Sequence, residues 1–259
     1  MPSLRSSLVI LALTAFALTG CKSKSPEAPV VANPAIVPAA TYKVDPATAG
    51  SITGTVKYAG PRPHPKLIDM SSDPACVAAH KGKAYDESLV TEKGGLGNAF
   101  VYISKGIEGK TFAVPDTGVT IDQAGCWFRP RVLGLQTGQT LDVVNSDPVT
   151  HNIHPMAVIN HEWNHSQGPG DPPMHRKFTK QEVMIPVKCN IHDWMHAFIG
   201  VVDNPYFATT KDDGTFTLPN LPPGTYTLSV WSETLGTKDT TVTVPASGKA
   251  TADLTFKAR

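Results

Sequence analysis

The segment Cys189-Asn190-Ile191-His192-Asp193-Trp194-Met195 carries a thiol, an imidazole and a thioether within one short stretch. A thiolate and an imidazole suit copper, and a thioether is the usual weak axial donor to it. A loop between two strands can aim all three at one point, so a further donor has to come from elsewhere in the chain. Asn145-Ser146-Asp147-Pro148-Val149-Thr150-His151-Asn152-Ile153-His154 offers His151 and His154. Zinc also accepts Cys and His, but a methionine donor counts against it, and a zinc site would recruit His154 or His196 instead. His161, His165 and His175 lie in a stretch rich in Asn, Pro and Gly. They read either as a copper-loading loop or as exposed histidines without a role.

The cysteines constrain the site further. There are four, Cys21, Cys76, Cys126 and Cys189. Arg5 followed by the apolar run from Leu8 to Leu18 fits an export signal. That run is shorter than the ~20 residues a membrane-spanning helix needs. Leu18-Thr19-Gly20-Cys21 resembles the bacterial lipobox, which implies cleavage after residue 20 and lipidation of Cys21. Lys22 follows rather than Asp, which points to the outer membrane of a Gram-negative cell. With Cys21 set aside, an odd number of thiols enters an oxidising compartment. One disulfide, Cys76 with Cys126, and one metal thiolate, Cys189, account for all three. The competing reading keeps Cys76 as a ligand beside His80 on a short helix capped by Asp73 and Pro74. No C-x-x-C-H or C-x3-C motif occurs, so neither covalent haem nor a dinuclear copper centre is indicated.

The elements that must position these donors read as strands. Gly and Pro are plentiful (21 and 23), only 17% of residues are charged, and apolar residues often alternate with polar ones. This favours an all-β chain with many turns. The formal charge of +1, with no basic run, argues against nucleic acid as a partner. Residues 21–48 are rich in Pro and Ala and read as a tether, reaching about 80 Å if fully extended. Strands are expected over 51–58, 98–103, 119–122, 132–135, 140–145, 183–187 and 198–202, then 215–218, 225–231, 240–244 and 250–256. Pro186 suggests an edge position or a bulge for the strand that carries it. Residues 155–175 read as a long loop. Trp163, Trp194 and Phe128 are candidates for an apolar wall around the metal.

The two donor segments together resemble the cupredoxins, and amicyanin most among them. The matching features are Gly138-Gln139-Thr140-Leu141-Asp142-Val143-Val144-Asn145, then His151-Asn152-Ile153, then Cys-x-x-His-x-x-Met at 189–195. The resemblance implies a Greek-key β-sandwich holding one mononuclear type 1 copper. It implies His151, Cys189 and His192 as ligands, Met195 as the axial donor, and Asn145 steadying the ligand loops near the sulfur. Electrons would cross at the edge of His192, expected near the surface. Cys189 is flanked by Lys188 and Asn190, not by the His-Cys-His that would join a second copper cluster, so the chain reads as a carrier and not an enzyme.

The C-terminal part resembles carboxypeptidase regulatory-like, transthyretin-like sandwiches through Thr210-Lys211-Asp212-Asp213-Gly214-Thr215-Phe216-Thr217-Leu218 and Leu221-Pro222-Pro223-Gly224-Thr225-Tyr226-Thr227-Leu228. Too few strands follow residue 205 to complete such a sandwich, so its early strands are sought upstream. The expected organisation is a signal peptide over 1–20, the tether over 21–48, a discontinuous sandwich over 49–110 and 204–259, and a copper domain over 111–203. A tandem arrangement is the alternative. The function implied is a periplasmic, lipid-anchored one-electron carrier serving c-type cytochromes or a periplasmic dehydrogenase or oxidase. The alternative is a copper storage or delivery lipoprotein that uses the extra histidines.

Overall fold

Alternation along Gly50–Ala59 buries Ile52 and Val56 completely and leaves Ser51, Thr53 and Thr55 half-buried and Lys57 exposed. This is the period-2 pattern of a strand with one face on a core. In the computed structural model, which describes residues 40–258, every element but one is a strand. Cys21, the expected signal peptide and most of the expected tether lie outside the described residues. Among the described residues no helix is long and apolar enough to cross a membrane.

Strand Gly50–Ala59 pairs antiparallel with Thr215–Leu221 and parallel with Lys249–Thr251 and Leu254–Lys257. It also touches Gly95–Leu96, which pairs with Thr91–Glu92. A second sheet runs in the order Phe207–Thr209, Phe100–Lys105, Gly224–Ser232, Gly236–Val244. Ile52, Val56, Ile103, Leu218, Leu228 and Phe256 share one core between these sheets. Strands from before residue 106 and after residue 206 therefore build one sandwich.

The intervening strands build another. One sheet orders Met174–Lys177, Thr140–Asn145, Val119–Gln123 and Phe128–Arg129. The other orders His165–Gln167, His151–Pro155, Glu182–Lys188, His196–Val202 and Val132–Gln136. Ile121, Leu141, Ile153, Val187 and Ile199 are buried between them with Cys189 and Met195. The two sandwiches meet at Phe100, Val132 and Val202, with Phe198, Phe207 and Trp231 packed around them. Gly200 lies so close to Phe100 that a Cβ there would fall 2.5 Å from the ring. Arg131 clamps Glu233 across the junction through two bonds of 2.8 and 2.9 Å.

Several expectations need correction. The tether does not extend to residue 48, because Tyr42 and Val44 pack on the first sandwich and Tyr42 N–H donates to the Thr111 carbonyl. Residues 67–85 leave the first sandwich and pack on the second. Met70, Cys76 and Ala84 join its core, and the apolar side chains with the disulfide hold the segment there. Strand Glu182–Lys188 is interior and not an edge, lying between His151–Pro155 and His196–Val202. Its register shifts between Glu182 and Ile185, which is the bulge side of the Pro186 expectation. Residues 155–175 are not all loop, since His165–Gln167 and the start of Met174–Lys177 are strands. The buried Gln167 amide holds them, donating to the Val143 and Pro172 carbonyls and accepting from Gln123.

Candidate metal centre

The Cys189 segment closes on itself. Cys189 ends the run of strand Glu182–Lys188, and its N–H donates to the Met195 carbonyl at 3.1 Å. Met195 N–H in turn donates to the His192 carbonyl at 3.1 Å. This compact turn points the Cys189 thiol and the His192 ring inward. Met195 is fully buried in the same apolar cluster as Cys189. His151 opens the strand on the other side of the site and has no exposed surface.

The donor atoms converge. His151, Cys189 and His192 place one ligand atom each within 4.8 Å of one another. His151 Nδ1 and His192 Nδ1 face each other at 3.0 Å, and Cys189 Sγ lies 3.8 Å from His192 Nδ1. Behind each ring sits a carboxylate. His151 Nε2 is 2.9 Å from Asp147 Oδ2, and His192 Nε2 is 3.0 Å from Asp73 Oδ2. An ionised carboxylate only accepts, so each Nε2 carries the hydrogen. Each Nδ1 then presents a lone pair toward the other. Two lone pairs at 3.0 Å beside a readily ionised thiol repel one another, and either a proton or a metal cation placed among them relieves the repulsion. Two imidazoles, one thiolate and a nearby buried methionine form a soft set that fits copper.

Electrostatics reinforce this. Burial pushes the Cys189 thiol up, but His151 and the backbone N–H groups of Asn152, His192 and Ile191 outweigh it and bring its pKa down to about 6. Burial opposes a charged His151, yet Asp147 and Cys189 together hold its pKa above the ordinary histidine value. Burial raises Asp147, but His151 and the N–H groups of Cys126 and Gly125 more than offset it, leaving the carboxyl below its usual range.

Asn145 steadies the first ligand loop but does not touch the sulfur. Its amide donates to the Val149 and Gln167 carbonyls, at 2.9 Å each, and its oxygen accepts from Asp147 N–H. The hydrogen bonds to the sulfur itself come from Asn152, a contact the sequence reading did not assign. Asn152 N–H donates to Sγ at 3.5 Å, and its side-chain oxygen lies 3.3 Å from Sγ and accepts from Asn190 N–H.

Cys76 and Cys126 are joined by a disulfide, so Cys76 is not a ligand beside His80. His80 Nδ1 instead meets Trp127 Nε1 at 2.9 Å. The disulfide ties helix Pro74–His80 over the site, with Asp73 as its N-cap. The His192 edge, expected near the surface, lies beneath this cover. His192 is 3% exposed, and Asp73 covers its outer nitrogen. His154 is turned away, paired with Glu162 at 2.6 Å, and His196 is exposed. His161 and His165 are exposed, and His175 pairs with Asp142, so none of them reaches the donor group. Trp194 leans on His192 with ring centroids 5.2 Å apart, and Phe128 and Trp163 pack in or against the same core.

Sequence reasoning missed Asp73, Asp147 and the sulfur contact of Asn152. Asn152 follows His151 directly, so its place was open to inspection. Asp73 is legible as a helix cap, but it lies 119 residues from the ring it meets, and no local signal marks that contact.

Comparison with known families matches residues 197–257 to the carboxypeptidase regulatory-like domain. The first matched residues lie in strand His196–Val202 of the second sandwich. No curated protein matches the chain. Among solved structures, a copper-containing nitrite reductase from Thermus scotoductus is similar over 39% of this chain at 24% identity and a TM-score of 0.32. This chain spans only 25% of that enzyme's length. A purple cupredoxin from Nitrosopumilus maritimus is similar over 32% of this chain and 98% of its own, at 23% identity and a TM-score of 0.27. An oxidised amicyanin variant is similar over 39% of this chain and 97% of its own, at 19% identity and a TM-score of 0.30.

Proposed function

We infer that this chain is a one-electron carrier with a single copper that would be held by His151, Cys189 and His192, with the Met195 thioether as a further, weak donor. The observation that carries the reading is the facing pair of Nδ1 atoms beside Sγ, each ring backed by a carboxylate. Copper held there would supply a reversible one-electron couple. The chain's own residues do the rest. Asp147 and Asp73 fix both ring orientations and tautomers, as carboxylates behind ligand imidazoles do. Asn152 and the backbone hold the sulfur in place. The disulfide and the self-bonded turn leave the frame little freedom to rearrange. We read Cys21 as a lipid anchor at the periplasmic face of the outer membrane, with c-type cytochromes or a periplasmic dehydrogenase or oxidase as partners. We read residues 111–203 as a copper domain spliced into a carboxypeptidase regulatory-like sandwich.

The test is Cu(II) titration of the purified full chain. The expected result is one copper per chain, an intense visible thiolate-to-copper band and a narrow copper hyperfine splitting. Cys189→Ser abolishes both. A colourless protein binding several coppers defeats the carrier reading in favour of storage or delivery.

A further inference from the structure

The usual shortest way out of such a site, the outer edge of a ligand imidazole, is closed at both rings. Asp147 backs His151, which is wholly buried, and Asp73 caps His192. A different route is open. Trp194 is in ring contact with His192, and its indole N–H is pinned to the Cys126 carbonyl at 3.1 Å. The same indole, half-buried, lines a surface groove of about 540 Å³ together with Trp127. The indole therefore forms a continuous contact path from the His192 ring to the groove.

The groove also has a sign. Its carboxylates are Asp69, Asp86, Glu87, Asp193 and Glu233. Glu87 is neutralised by Arg129 and Glu233 by Arg131. Asp69, Asp86 and Asp193 remain, against Lys66 as the lysine of the lining. Asp69 and Asp193 are exposed at the rim, where charges steer encounter through solvent.

We propose that this groove is the docking surface for an electron-transfer protein whose redox edge is ringed by lysines, with Trp194 as the port between that partner and His192. The proposal rests on the one-electron carrier reading. The exchange would pass one electron from a reduced copper held by His151, Cys189 and His192 to a ferric haem, which would become ferrous. The exposed Ile191, on the same loop, is the competing exit.

The experiment uses the full chain and a lysine-rimmed ferric c-type cytochrome. Asp69→Lys with Asp193→Lys is expected to lower the second-order electron-transfer rate at least about tenfold at low ionic strength. That difference collapses near about 0.5 M salt, where charges at the rim are screened. In metal-free protein, titration with the same cytochrome shifts the indole N–H signals of Trp127 and Trp194 and leaves that of Trp163 in place. An unchanged rate and salt dependence in the double variant overturns the proposal. So does a rate loss in Ile191→Asp with none in the rim variant, or an unmoved Trp194 signal. The indole titration needs no copper, so failure of the docking surface and failure of the copper reading are read separately.

Discussion

Asp147→Asn isolates the orienting role of a single oxygen. The buried Asp147 carboxylate accepts from Gly125 N–H at 2.7 Å, from Cys126 N–H at 2.7 Å and from His151 Nε2 at 2.9 Å. An asparagine keeps one oxygen for the backbone but turns an NH2 toward the other donors. The least costly relief is for His151 to move its hydrogen from Nε2 to Nδ1. That places a hydrogen on the atom 3.0 Å from His192 Nδ1, where the lone pair is needed. Loss of such an orienting partner lowers metal affinity by about 10- to 100-fold, which is about 1.4–2.7 kcal/mol. Competition with a chromophoric copper chelator measures this, and imidazole nitrogen shifts report the tautomer in the metal-free chain. Asp147→Ala leaves three donors without a partner and is expected to cost about 3–9 kcal/mol of stability as well. That is a large part of the roughly 5–15 kcal/mol that holds a typical domain together. Unchanged copper affinity in Asp147→Asn, with the hydrogen still on Nε2, would refute the reasoning.

Replacing Cys76 and Cys126 by Ser opens a loop of sequence separation 50 and is expected to cost about 4 kcal/mol in denaturant unfolding. It also loosens helix Pro74–His80, so diethylpyrocarbonate should modify His192 faster than in the parent; equal rates would separate the disulfide from the cover over His192. Gly200→Ala forces a methyl against Phe100 and is expected to destabilise by about 1–3 kcal/mol, read as a lowered Tm, with the copper band little changed. Burial raises the Glu182 carboxyl, but the N–H groups of Val158, Asn160 and Ile159 and the Asn160 amide outweigh it and hold its pKa below the ordinary value. Its stabilisation is therefore complete above the usual glutamate range and lost as pH falls through the depressed value. Glu182→Gln should flatten that acid limb and speed amide exchange over 158–160, as seen in hydrogen-exchange profiles at pH 3 to 6.

Much of the strand map follows from local patterning. The alternation at 50–59 and 140–145 and the Gly and Pro turns mark strands because one face of each meets a core. The errors cluster where side chains act over distance. Gln167 makes order in a stretch of Asn, Gly and Pro by filling a buried amide network that no window of sequence displays. Tyr42 and Val44 look like tether residues until the sandwich supplies an apolar surface for them. Asn145 ends its strand as read from the sequence, but which asparagine reaches the sulfur depends on how two strands are set against each other.

By itself the sequence determined the donor inventory: one cysteine left over from a disulfide, a histidine and a methionine at turn spacing beside it, and a second histidine segment upstream. Those relations lie within short stretches, where spacing constrains geometry. Only the tertiary structure decided what stands behind each imidazole. Asp147 reaches His151 through a loop held to Gly125 and Cys126, and Asp73 reaches His192 from a helix 119 residues earlier, pinned by the disulfide. Contacts between segments so far apart depend on packing across the whole chain, and with them the tautomers, the closed His192 edge and the opening at Trp194.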